Sequence, residues 1–172
     1  MNELKGKVAV VTGASTPRGI GYAIARRYAQ AGADVLLVAD GTEQQPAAGV
    51  SECRALPGAG RIESAQIDLA QNGEAERMIE QALKIFGRVD VLVNNAAIRI
   101  SEDFGNYTRA QFDRGIAVNL AAPFFACQAV LPAMRKQGGG RIINITSQMG
   151  HVTFRQKSLY GLAKAALIPL TK

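Results

Sequence analysis

The tightest constraint on the fold is a strand, a turn, a helix and a second strand written without a gap in "VAVVTGASTPRGIGYAIARRYAQAGADVLLVAD", Val8 to Asp40. The run from Val8 to Thr12 is apolar at all but its last position, which predicts a strand buried on both faces. Helical spacing then runs from Ile20 and stops at Gly32, and Asp34 to Asp40 repeats the strand pattern. A crossover of that length joins parallel strands, so the segment predicts a βαβ unit.

The same alternation continues. Gly41 to Gly60 is rich in Gln, Ala, Pro and Gly, so any helix there should be short and poorly bounded. "RIESAQID" predicts a weaker third strand, "GEAERMIEQALKIFG" an amphipathic helix, and "VDVLVNNAA" a fourth strand. Thr108 to Arg135 predicts a long helix interrupted at Pro123, "GGGRIINIT" a turn and fifth strand, and "SLYGLAKAALIPLTK" a terminal helix that Pro169 should kink or end. Strands separated by helices imply an α/β protein: a Rossmann-like, doubly wound parallel sheet in three layers. With 172 residues, no repeat and no linker, the expectation is a single dinucleotide-binding domain over residues 1–172.

Composition removes several classes of function. Cys53 and Cys127 are too few and too far apart for a disulfide framework or a zinc site, which favours a reducing, cytoplasmic compartment. His151 is the lone histidine and no Cys/Asp/Glu cluster has ligand spacing, so no metal site is expected. "MNELKGKVAVVTG" lacks the apolar core of a signal peptide, and no apolar run approaches the roughly 18 residues of a membrane span. The net charge of +6 is uneven: residues 1–113 carry all 14 acids against 12 Lys/Arg, while residues 114–172 carry eight Lys/Arg and no acid. That asymmetry points to an anionic partner or to missing acidic sequence. Nucleic acid is disfavoured, because the basic residues are dispersed and aromatics are 6%.

"TGASTPRGIG", Thr12 to Gly21, follows a strand and opens a helix, where small residues let a pyrophosphate approach the backbone and the helix supplies amides. Asp40, at the tip of the second strand, would accept hydrogen bonds from a ribose diol and repel a 2′-phosphate; Arg18 would attract that phosphate. The balance favours NAD, with NADP possible.

These motifs resemble those of the short-chain dehydrogenase/reductase family: "TGASTPRGIG" its glycine motif, "NNAA" its Asn-Asn-Ala-Gly, "VNL" its helix asparagine, "INITS" its serine strand and "YGLAK" its Tyr-x-x-x-Lys. The resemblance implies catalytic roles for Asn119, Ser147, Tyr160 and Lys164. Ser147 is preferred to Thr146 because it lies 13 residues before Tyr160, as is usual in the family. It implies a cofactor site of Gly13, Ser15, Arg18, Gly19, Ile20 and Gly21 in the turn, with Asp40, Asp68, Leu69 and Asn94 from strand ends and Tyr160 and Lys164 from the terminal helix. Three departures stand out. Five residues rather than three separate Gly13 from Gly19, so Pro17 and Arg18 look inserted; Asp40 falls one position late; Ala97 replaces a glycine. Family members also continue through further strands and helices, so the chain is expected to be incomplete at its C-terminus and to form a homodimer or homotetramer when complete.

Tyr160 and Lys164, at i and i+4, share one helix face. An ammonium there stabilises a phenolate, letting Tyr160 exchange a proton with a substrate oxygen while hydride moves to or from a nicotinamide. Ser147 would hydrogen-bond the same oxygen, and Asn119 could order a water leading from Lys164 to solvent. The expected activity is interconversion of a secondary alcohol and a carbonyl, and the resemblance implies a 3-oxoacyl carrier-protein thioester, a sugar or another secondary alcohol as substrate. His151, Arg155 and Lys157 favour an anionic or carrier-linked substrate. The alternative is a nucleotide-binding or interaction module without turnover.

Overall fold

The apolar runs become the central strands of one parallel sheet because each is covered on both faces. The computed structural model describes residues 3–14, 16–41 and 46–172. Its strands are β1 (Val8–Thr12), β2 (Asp34–Ala39), β3 (Ile62–Gln66), β4 (Val91–Asn94) and β5 (Arg141–Asn144). They pair in parallel in the order β3-β2-β1-β4-β5. Side chains alternate between faces along a strand. Val10, Leu36 and Leu92 therefore enter one core, with Met78 and Ile79, while Val11, Leu37 and Val93 enter the other, with Ala25 and Ala29. With both faces covered, the central strands β1, β2 and β4 read as continuous apolar runs, whereas the edge strands β3 and β5 leave positions exposed.

The helices are α1 (Ile20–Gln30), α2 (Pro46–Arg54), α3 (Glu74–Phe86), α4 (Arg109–Ile116), α5 (Ala122–Lys136) and α6 (Ser158–Leu170). In α3 the buried residues are Ala75, Met78, Ile79 and Ala82, the i, i+3, i+4, i+7 spacing of a single stripe, and Gly87 ends the helix in the left-handed region at φ 76°. Each large side chain in such a stripe contributes about 1.5–3 kcal/mol by leaving water. Below the sheet's opposite end, buried Asp90 accepts from Arg88 at 2.8 and 2.7 Å and from the Val8 amide at 3.0 Å, tying β4 to β1.

Three expectations change. β4 stops at Asn94 rather than running to Ala97, because the Thr12 hydroxyl accepts from the Asn95 and Ala96 amides at 3.0 and 2.9 Å and turns the chain off the sheet. Pro123 does not interrupt the helix: α4 and α5 are joined by a π turn, Ala117–Ala121, and Pro123 sits in the first turn of α5. A proline ring collides with the carbonyl four residues back in a regular helix, and the wider π turn relieves that collision. The continuous helix over 109–136 is, by length and composition, apolar enough to cross a bilayer, contrary to the sequence reading. Here it lies against α3 and buries Ala122, Ala126, Val130 and Met134 in the core. Pro169 leaves α6 only one further residue, as expected.

Candidate active site

In a sheet of this order, β1 and β4 feed chain to opposite sides, and a crevice opens at their carboxyl ends. A cleft of about 710 Å³ lies there. It is lined at one end by the glycine turn, Asp40 and Asp68 and at the other by Ser147, Tyr160 and Lys164.

The turn is shaped by what glycine lacks. Gly13 holds φ at 65°, and a Cβ there would stand 2.8 Å from the Ala96 Cα. A Cβ on Gly21 would collide with the Asn95 amide nitrogen and the Gly13 carbonyl. Asn95 Nδ2 donates to the Thr12 and Gly13 carbonyls at 2.8 and 3.1 Å, so the "NNAA" segment braces the turn from beneath. The additional Pro17 and Arg18 are absorbed by a tight turn that the Gly19 amide closes onto the Thr16 carbonyl at 2.7 Å. Gly19 then caps α1 without a side-chain acceptor, and no acid occupies the first turn. The amides and the positive end of the helix dipole thus meet the cleft without a competing carboxylate, which fits a pyrophosphate.

Asp40 and Arg18 both line this end and are exposed. Asp68 accepts from the Ala70 amide at 3.0 Å, from Gln71 at 3.4 Å and from Arg114 at 3.5 Å. The Ala70 amide above all holds its carboxyl below the usual range, so it is an ionised acceptor, suited to an amino or hydroxyl donor. Ile20 and Leu69 add apolar lining.

The other end is built on α6. Lys164 is 2% exposed, its ammonium donating to the Ile145 carbonyl at 2.7 Å and lying 5.8 Å from the Tyr160 ring centroid. Burial lowers it to about 8. Ser147 leaves β5 in extended conformation, and its hydroxyl accepts from the Met149 amide at 3.2 Å. Gly161 makes this approach possible, since a Cβ there would stand 2.8 Å from the Met149 carbonyl.

Three predicted site residues, Asn94, Asn119 and Gly21, lie off the cleft. Asn94 is buried, donating to Asn144 at 2.8 Å and to Cys127 Sγ at 3.4 Å; its neighbour Asn95 meets the turn instead. Asn119 is 1% exposed in the π turn, and its amide spans Ile98, donating to the carbonyl at 2.9 Å and accepting from the amide at 3.0 Å. Ser15 lies outside the described residues. Gly21 shapes the turn from behind rather than lining the cleft. Asn95, Arg99, Arg114 and Val118 line it and were missed by the sequence reading. Only Asn95 carried a signal, as the second asparagine of its motif. No group of three or more His, Cys, Asp or Glu that could hold a metal occurs among the described residues.

A family model described as short chain dehydrogenase matches residues 7–172. D-beta-hydroxybutyrate dehydrogenase of Rhizobium meliloti (strain 1021) is 38% identical over 96% of this chain and 63% of its own. Ketoacyl reductase HetN of Nostoc sp. is 35% identical over 99% of this chain and 58% of its own. Among solved structures, a metagenomic short-chain oxidoreductase in complex with NADP superposes with a TM-score of 0.89 at 38% identity, covering 98% of this chain and 74% of that one. The chain thus spans roughly three fifths of the length of the two named enzymes.

Proposed function

Because the chain belongs to the short-chain dehydrogenase family, we propose that it serves an oxidoreductase that interconverts a secondary alcohol and a carbonyl. The observation that carries this reading is Lys164: a buried ammonium pinned to the Ile145 carbonyl beneath the Tyr160 ring, in the same cleft as the glycine turn. A buried cation needs a reason to be there, since desolvation disfavours it. One positive charge that favours an anionic phenolate beside it supplies that reason.

In the direction of oxidation, Tyr160 takes the alcohol's proton as the carbinol hydrogen departs as hydride; in reduction it returns that proton to the oxygen. The nicotinamide, when bound, accepts or donates the hydride. Ser147 hydrogen-bonds the reacting oxygen, and Lys164 favours the phenolate and holds the nicotinamide ribose. Asn119 acts as a positioning residue, since its side chain is committed to Ile98. Gly13, Gly19, Ile20 and Gly21 would form the turn that holds the pyrophosphate; Asp68 and Leu69 would receive the adenine; Asn94 steadies the end of β4. Asp40 selects NAD over NADP against the pull of Arg18.

The substrate class that fits is a small hydroxy or oxo compound. The names of two relatives, a hydroxybutyrate dehydrogenase and a ketoacyl reductase, support that class. We read residues 1–172 as one dinucleotide-binding domain of a cytoplasmic protein. Its exposed Phe112, Phe124, Phe125 and Leu131 on α4 and α5 support pairing of subunits about a two-fold axis. The deciding experiment is dinucleotide titration followed by turnover of a panel of alcohols and carbonyls by the full-length protein. Binding without turnover of any member would favour a nucleotide-binding module.

A further inference from the structure

Two loops, 98–107 after β4 and 151–157 before α6, are clasped together, and the first begins at the cleft with Ile98 and Arg99. The Gln156 carbonyl accepts from the Glu102 amide at 3.3 Å and from the Tyr107 hydroxyl at 3.4 Å. Lys157 donates to Ser101, and Arg155 pairs with Asp103 at 3.5 Å. Gln156 holds φ at 61°, a left-handed conformation that a non-glycine residue adopts at a cost, and its carbonyl serves both donors from there. The clasp therefore uses the two cations of the second loop, Arg155 and Lys157, on the protein itself.

Arg99 stands apart. It lines the cleft together with Ser147, Tyr160 and Lys164. The residue before it, Ile98, is gripped at both backbone polar atoms by buried Asn119, so the root of the side chain is fixed. Among the described residues, Arg114 is spent on Asp68 and Lys164 on Ile145, whereas no carboxylate or hydrogen-bond acceptor meets the Arg99 guanidinium. An exposed arginine rooted on a fixed backbone, lining the same cleft as Tyr160, is suited to receive an anion. Its planar fork matches a carboxylate or phosphate with two parallel hydrogen bonds.

We propose that Arg99 binds an anionic group of the substrate, which makes the substrate a hydroxy or oxo acid or its phosphate-bearing thioester. This rests on the alcohol–carbonyl reading of the site. The shared chemistry is an oxyanion held a short span from the reacting carbon. It can come from the acid's own carboxylate or from the phosphate of a carrier arm.

The test is steady-state turnover by the full-length protein and by Arg99→Met and Arg99→Lys. Its four probes are a short 3-hydroxy acid, the acid's neutral methyl ester, a 3-oxoacyl phosphopantetheine thioester, and the same thioester without phosphate. Wild type should prefer one charged probe to its neutral partner. Arg99→Met should raise KM for that probe at least about tenfold more than for the neutral one, the range for a lost charged hydrogen bond. Arg99→Lys should recover part of the loss. Whichever charged probe responds identifies the source of the oxyanion. Equal use of charged and neutral probes by wild type, or an equal loss on both in Arg99→Met, overturns the proposal while leaving the oxidoreductase reading intact. Failure to turn over any probe or any neutral alcohol overturns both.

Discussion

The two ends of the cleft are made by different means. The glycine-turn end is a matter of space and backbone: Gly13 and Gly21 leave room that no side chain can share, and Asn95 and Thr12 hold carbonyls and amides in place. The α6 end is a matter of side-chain chemistry, where a phenol, a hydroxyl and a buried ammonium meet on a helix that Gly161 lets approach. A substitution at the first end should therefore act through the fold, and one at the second through chemistry on an intact fold. The contrast can be broken by any variant that crosses over.

The largest effect is expected at the chemical end. Tyr160→Phe in the full-length protein should lower turnover by about 10²–10⁴-fold, the usual worth of a positioned acid-base group. Thermal stability and dinucleotide affinity should stay within error, as measured by calorimetry and fluorescence titration. A large drop in melting temperature would erase the distinction between the two ends.

Gly13→Val is the matching test at the spatial end. A side chain in the left-handed region, 2.8 Å from the Ala96 backbone, should cost about 2–5 kcal/mol in strain and overpacking. Denaturant unfolding without any ligand should register that loss. Stability unchanged, with only nucleotide binding lost, would mean that the turn gives way more easily than its contacts imply.

Lys164 sharpens the comparison because it is chemical and structural together. Burial lowers it to about 8, whereas an unfolded lysine titrates near 10.4. Between those values the unfolded chain holds a proton that the folded one has released, so wild-type stability rises with pH there. From pH 7.5 to 9.5 the gain from this one group is about 2 kcal/mol. Lys164→Met lacks the group, so its stability relative to wild type should fall by that amount over the same interval in paired denaturation curves. Parallel curves would place the ammonium in a wetter site.

The smallest effect concerns Asp40. Asp40→Ala should shift the NAD/NADP preference toward NADP by about tenfold, corresponding to ~1.4 kcal/mol of lost repulsion. An unchanged ratio in titrations with both dinucleotides would pass the selection to Arg18.

The sequence made the spatial end legible where periodicity and glycine spacing speak directly. β1, α1 and β2 fall where the apolar runs and Gly32 place them, because each is decided by neighbours in sequence. The end of β4 was not legible, since it depends on a Thr12 hydroxyl more than 80 residues away along the chain. Arg114 met Asp68 for the same reason, through tertiary packing that no local pattern announces. At the chemical end, Tyr160, Lys164 and Ser147 came together as their motifs imply, and all three line one cleft. What the motif could not show was that Asn119, in the π turn, turns its amide to Ile98, a contact made across 21 residues.

That π turn also divides one rod into two phases. A regular helix advances about 100° per residue, and a π turn slips one residue into the winding. The stretch before it, α4, leans on α6, while the stretch after it, α5, leans on α3. Removing a single residue from Ala117–Ala121 would rewind the rod to one phase. It would swing Ala122, Ala126, Val130 and Met134 by about 100° out of their seats, so the tyrosine helix and the opposite wall of the molecule could no longer be served by the same axle.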